Sequence, residues 1–217
     1  KLSNSLRQLG VKSGDRVVAY LQNIPETIIA MLATTSIGAI WSSCGSELGS
    51  NAIVDRFNQI EPIVLFTSDG YQYKGKIFDQ LPKIRQISTK IQSLKKIIVI
   101  PCLNNNLELK SIPNAVDYND FINKSNSNLS FESLPFDHPV YIMFSSGTTG
   151  KPKCIVQSSG GILLNHLKEH VLHTNLKIGD SITYITTPGW MMWNWLVSAL
   201  SLGVKIILYD GNPLYPN

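Results

Sequence analysis

The sequence predicts a doubly wound α/β fold in which mainly parallel sheets are covered by helices. Three observations lead there. Continuous apolar runs at residues 17–21, 63–66 and 97–100 show no polar alternation, which marks strands buried on both faces. The stretches between them repeat apolar residues at helical spacing, so strand and helix alternate as in βαβ units. Only 16% of the 217 residues are charged, against about 25% in an ordinary globular chain, as expected when few elements are half solvated.

Taken in order, Leu2, Leu6 and Leu9 fall at i, i+4 and i+7, and Gly10 suits the position just past a helix end. Gly14-Asp15 turns the chain into the strand at 17–21. Pro25 suits a first helical turn, and the run at 28–37 closes at Gly38. Residues 39–41 read as a strand. Ile53, Phe57 and Ile60 line a helical face that Pro62 ends, and the strand at 63–66 leaves through a turn at Asp69-Gly70. Phe78, Leu81, Ile84 and Ile87 continue as a helix into the strand at 97–100, which Pro101 terminates. From 104 to 135 the composition shifts to Asn, Ser and isolated hydrophobics, giving a surface connection with one short helix near 118–122. This connection is the expected seam: residues 1–135 form a first α/β subdomain, and 136–217 begin a second. A strand at 140–144, a Gly-rich loop, a strand at 154–157, a helix at 161–173, a strand at 182–185, a Trp-rich helix and a strand at 204–209 complete the alternation.

Composition excludes a disordered chain, a coiled coil and a polybasic nucleic-acid arm. A net charge of +4 suits anionic small molecules, and no nucleic-acid partner is expected. Cys44, Cys102 and Cys154 lie far apart without a CxxC pair, which reads as reduced thiols in a cytoplasmic protein. No signal peptide is evident, and a start at Lys1 reads as a fragment. No charge occurs between Asp180 and Lys205, but Pro188, Gly189 and Asn194 interrupt that stretch, so it predicts a buried helix and no membrane span.

The strongest chemical signal is the run Tyr141-Ile142-Met143-Phe144-Ser145-Ser146-Gly147-Thr148-Thr149-Gly150-Lys151-Pro152-Lys153. An apolar strand enters six small or hydroxylated residues and then two lysines around a proline. Small residues let backbone N–H groups close on a polyphosphate, hydroxyls add donors, and lysine offsets phosphate charge. The spacing is neither GxxxxGK[ST] nor GxGxxG. A plain Ser/Gly/Thr linker would have no reason to sit between two strands and end in Lys-Pro-Lys.

This segment resembles the signature loop of the acyl-adenylate-forming superfamily (acyl-CoA synthetases, luciferases and peptide-synthetase adenylation domains). Gly14-Asp15-Arg16-Val17 and Gly38-Ala39-Ile40-Trp41-Ser42-Ser43 extend the resemblance over essentially the whole chain. Ser145 in place of the commoner Thr and Cys154 in place of the usual Gly depart from the pattern. The resemblance implies that Ser145, Ser146, Gly147, Thr148, Thr149, Gly150 and Lys153 hold the phosphates of ATP, with Thr148 and Lys153 serving the chemistry. It further implies Mg2+ and coenzyme A as cofactors, and acetoacetate or another short acid as substrate. A C-terminal domain carrying further motifs is absent from these residues, so the 217-residue piece alone is expected to be inactive.

Three other segments carry two readings each. His166-Leu167-Lys168-Glu169-His170 matches H-x-x-E-H, a zinc-peptidase pattern in which Glu169 would act as base, with His173 one turn on. Only Asp180 and Asp210 follow as acidic ligands. The same residues fit a semi-buried helix face, and the resemblance implies no metal there. In 186–195, Trp193 and Trp195 suit core packing, and Trp190 and Trp193 share a face if a helix starts near Gly189. Trp190 follows Pro-Gly at a loop-to-helix corner, and the resemblance implies that its ring limits acyl length. Met191, Met192 and Asn194 read as contacts for a keto acid, with Asn194 either donating to a 3-keto oxygen or satisfying a backbone carbonyl. Tyr73-Lys74-Gly75-Lys76 is either a solvated turn or, by the resemblance, a contact for the phosphates of coenzyme A through Lys74, Gly75 and Lys76.

Overall fold

The computed structural model describes residues 1–104, 106–123, 128–145 and 150–216. A seven-stranded sheet forms its centre, in the order β7-β6-β3-β1-β2-β8-β9. Its strands are β1 (Arg16–Leu21), β2 (Ile40–Gly45), β3 (Val64–Ser68), β6 (Lys96–Ile100), β7 (Ala115–Asp117), β8 (Pro139–Ser145) and β9 (Lys153–Ser158). All neighbours run parallel except β8 and β9, which pair antiparallel. β1 lies between β2 and β3, so the strand order reverses there, and the switch point opens at the carboxyl ends of these strands.

Alternation along each strand explains why they read as unbroken apolar runs. Val17, Ala19 and Leu21 enter one core with Val64, Phe66, Ile98 and Ile100, joined by residues of α1 (Leu2–Gln8), α2 (Pro25–Ser36), α5 (Tyr118–Asn123) and α7 (Met191–Ser198). Val18, Tyr20, Leu65, Ile97 and Val99 face the opposite core, filled by α3 (Ser50–Phe57) and α4 (Leu81–Lys90). Both faces are therefore covered. Pro25 occupies the first turn of α2, and Gly38, just past its end, has φ +73°, a conformation glycine adopts without steric cost.

Several expectations require correction. Phe78 lies not in a helix but in a hairpin of β4 (Gly70–Tyr73) and β5 (Lys76–Asp79), whose turn holds Lys74 at φ +49° and Gly75 at φ +70°. Two left-handed residues define a tight hairpin turn. The strand expected at 39–41 runs on to Gly45, and the polar connection after β6 contributes β7 as the sheet's edge strand. The chain does bend at Asp69, between β3 and β4. Asp69 is buried, and its carboxylate accepts the N–H groups of Cys102, Leu103 and Asn104 at 2.7, 3.0 and 2.8 Å. The helix expected at 161–173 is α-helical as α6 (Ser159–Lys168) and then opens into a π-helical turn, Glu169–His173.

Beyond residue 135, β8 and β9 extend the central sheet, while β10 (Ser181–Thr183) and β11 (Lys205–Ile207) pair in parallel as a second sheet connected through α7. No helix among the described residues is long and apolar enough to cross a membrane.

Candidate active site

β2 and β8 are parallel neighbours with Trp41 opposite Tyr141. Four residues further along come Gly45 and Ser145, so β2 and β8 end at the same edge of the sheet on adjacent strands. In open α/β sheets this carboxyl edge, at the switch point, is where ligands bind.

The loop is anchored at both ends. Ser145 and Lys153 are partners across the β8–β9 ladder. Gln59, at the end of the α3 segment, donates through Nε2 to the Pro152 carbonyl at 3.0 Å, and the Cys154 thiol lies 3.8 Å from Gln59 Oε1. The unexpected Cys154 thus meets a partner that sequence reasoning missed. Gly150 has φ +155°, and Lys151 and Lys153 are exposed. Ser146, Gly147, Thr148 and Thr149 lie outside the described residues.

Beside the loop's strand, a crevice of about 580 Å³ opens at the ends of β2 and β3. Ser46 and Glu47 form one wall and Tyr71, Gln72 and Tyr73 of the hairpin a second. The segment Tyr184, Ile185, Thr186, Thr187 with Trp190 and Met192 closes it, together with Tyr209, Asp210 and Gly211. Burial, aided by the Glu47 charge, holds the Asp210 carboxyl above its ordinary range against a backbone hydrogen bond from Asn23. Burial likewise raises the Tyr71 phenol, with Glu47 adding to the effect.

The structure brings Trp190 into this crevice and separates it from Trp193. Trp190 has an extended backbone and precedes the helix, which starts at Met191. Trp190 is 67% exposed while Trp193 is fully buried, so the two do not share a face. Met191 is exposed beside the crevice lining. Asn194 is buried behind it, with Nδ2 3.7 Å from Met143 Sδ. Lys74, Gly75 and Lys76 form an exposed turn that directly follows the lining residue Tyr73.

The histidine helix does not assemble a zinc site. His166 and His170 are buried and His173 is exposed. His170 Nε2 lies 2.9 Å from the Trp195 carbonyl and 2.9 Å from Ser198 Oγ. A carbonyl only accepts, so Nε2 carries the proton and cannot ligate. Glu169 is half-buried and pairs with Lys168 at 2.8 Å, and no convergent group of three or more His, Cys, Asp or Glu occurs among the described residues. The histidines instead pack the π turn against α7, with the Trp195 ring 4.5 Å from that of His170.

A doubly wound, mainly parallel sheet with a crevice on its carboxyl edge defines an α/β domain of the ligand-binding kind. Comparison with known proteins narrows this class. The chain matches the AMP-binding enzyme family over residues 1–217, and it belongs to that family, the acyl-adenylate-forming superfamily. It is 48% identical over 219 residues to acetoacetyl-CoA synthetase of Gallus gallus, covering 98% of this chain and 33% of the relative. With acetoacetyl-coenzyme A synthetase of Rhizobium meliloti (strain 1021) it shares 47% over 219 residues, 100% of this chain and 33% of the relative. The solved acetoacetyl-CoA synthetase of Streptomyces lividans superposes with a TM-score of 0.92 at 44% identity, covering 99% of this chain and 33% of that one. The chain spans about a third of the length of these relatives.

Proposed function

We propose that the protein containing this chain is an ATP-dependent acid–thiol ligase that activates acetoacetate, or another short carboxylic acid, and passes it to coenzyme A. The observation that carries this reading is the shared sheet edge: β8, which leads into the hydroxyl-rich run, and β2, which leads into the crevice, are adjacent strands that end at the same register. Activation and acceptance can then occur side by side.

In the first step an acid carboxylate oxygen attacks the α-phosphorus of ATP, the bond to pyrophosphate breaks, and an acyl-adenylate forms. In the second the coenzyme A sulfur attacks the acyl carbon, AMP leaves, and the thiol proton passes to solvent or to AMP. No side chain of this chain acts as nucleophile. Its contribution is positioning and charge stabilisation.

Ser145, Ser146, Gly147, Thr148, Thr149, Gly150 and Lys153 are assigned to the phosphates, with Thr148 and Lys153 at the departing pyrophosphate. A hydroxyl and an exposed ammonium paired across one ladder fit a polyphosphate. Mg2+ supplies charge neutralisation to the nucleotide it accompanies. Lys74 and Lys76 on their exposed turn suit the phosphates of coenzyme A, next to a crevice wall. Trp190, with Met191 and Asn194, is assigned to the acid, its ring bounding acyl length. Residues 136–217 are taken as the start of a second subdomain; the separate β10–β11 sheet supports this for the part from Ser181 on, while β8 and β9 belong to the central sheet. Three thiols without a disulfide support a reducing, cytoplasmic setting.

The test is acetoacetate-dependent ATP–pyrophosphate exchange by the intact protein. Thr148→Ala combined with Lys153→Ala abolishes exchange without changing the circular dichroism spectrum. Exchange at the native rate removes the loop from the reaction.

A further inference from the structure

Trp190 sits at the end of a corner, residues 186–190, that precedes α7 and has no ladder of its own. Its placement comes from the end of β2. The Trp41 indole N–H donates to Ser43 Oγ at 3.2 Å, and the Ser43 hydroxyl donates to the Pro188 carbonyl at 2.6 Å. An indole N–H only donates and a carbonyl only accepts, so the Ser43 proton has one direction available and the relay is oriented. Trp41 is 1% exposed, which roots this relay in the core. One residue earlier, Thr187 Oγ1 donates to Glu47 Oε1 at 3.2 Å. Gly189 packs on the same strand end, where a Cβ added to it would stand 3.4 Å from the Gly45 nitrogen. The Trp190 N–H closes the corner onto the Thr187 carbonyl at 3.0 Å.

We infer that Ser43 and Glu47 are positioning residues that form a latch between β2 and the 186–190 corner, and so fix the Trp190 ring that selects acid length. Two attachments at successive residues, 187 and 188, fix both the position of the corner and its rotation, and therefore where the Cα–Cβ bond of residue 190 points. A residue two-thirds exposed, as Trp190 is, has little packing of its own to resist swinging. Displacing a pocket wall by about 1 Å is enough to cost about a hundredfold in rate. The latch spans 145 residues of sequence, so it couples the segment that selects the acid to the strand next to the loop's own. This inference rests on the assignment of Trp190 to the acid.

The experiment measures kcat and KM of the intact protein by AMP release, with acetoacetate, butyrate and hexanoate as acids. Variants are Trp190→Ala, the double variant Ser43→Ala with Glu47→Ala, and the conservative double variant Ser43→Thr with Glu47→Gln, which keeps a hydroxyl and an acceptor oxygen. The alanine pair is expected to raise KM for acetoacetate and to narrow its preference over hexanoate about tenfold, leaving KM for ATP unchanged. The conservative pair restores the preference. If Trp190→Ala broadens acid use while the alanine pair keeps native preference, the latch is refuted and the pocket assignment stands. If Trp190→Ala leaves preference intact, the pocket assignment fails and takes the latch with it. A parallel rise in KM for ATP in the alanine pair would also overturn the latch, because it would mean general loss of structure.

Discussion

The indole N–H of Trp193 donates to Asn23 Oδ1 at 2.8 Å, and both residues are buried although 170 positions separate them. Asn23 follows β1 at the switch point, and its Nδ2 donates to the Tyr209 carbonyl at 3.2 Å. One amide thus ties α7 and the segment after β11 to the central strand, closing the crevice from behind. Asn23→Ala leaves the indole and the Tyr209 carbonyl without these partners and should cost about 2 kcal/mol. For a chain of this size that corresponds to a fall in Tm of about 4–8 °C, readable by calorimetry. An unchanged Tm would show that water replaces the amide.

Asp69 closes the opposite side of the switch point. Its carboxylate gathers three consecutive backbone N–H groups after β6, and Asn104 Nδ2 adds a fourth donor at 3.2 Å. Hydrogen bonds to a charged group are stronger than neutral ones. Asp69→Ala is therefore expected to lose about 3 kcal/mol in urea unfolding, and Asp69→Asn, which retains one acceptor oxygen, about half as much. Equal losses in the two variants would mean that shape rather than charge matters there.

How far this was legible from sequence differs by element. β1, β3 and β6 were readable because burial on both faces writes an unbroken apolar run. The β4–β5 hairpin was not, because Phe78, Leu81, Ile84 and Ile87 recur every third residue and imitate a helix, while Ile77 and Phe78 themselves remain exposed. The loop's residue types announced its chemistry, and Pro188-Gly189 announced a corner. Nothing local announces that Ser43 reaches Pro188 or that Gln59 reaches Pro152, since both contacts depend on which strands become neighbours. The H-x-x-E-H spacing was visible, but its meaning depended on Trp195 and Ser198, which occupy His170 Nε2.

His166 gives a pH signature. It is buried, neither ring nitrogen has a hydrogen-bond partner among the described residues, and burial, with His170 adding to it, pushes its pKa from 6.5 down to about 4. His170 is shifted downward as well, mainly by burial. Between these limits the unfolded chain binds protons that the folded chain does not, so stability is full above about pH 6.5 and declines as pH falls towards 4. His166→Leu should flatten the dependence of Tm on pH across that window. A variant that tracks the native curve would place the titrating group elsewhere.

Ser42 controls the seam between the crevice strand and the loop strand. It is 2% exposed and donates to the Ile142 carbonyl at 2.6 Å, where β2 and β8 share the single register pair Trp41–Tyr141. With so short a ladder, one side-chain bond is a large part of what holds the strands together. Ser42→Ala should cost about 1–2 kcal/mol. Because β8 pairs otherwise only with β9 among the described residues, the loss should appear as local opening, with amide exchange at Met143 and Phe144 about tenfold faster and that of β3 unchanged. β8 ends at Ser145, so the same variant of the intact protein should raise KM for ATP more than KM for the acid. Uniform acceleration of exchange throughout the sheet would instead make Ser42 an ordinary contributor to global stability, with no particular hold on the loop.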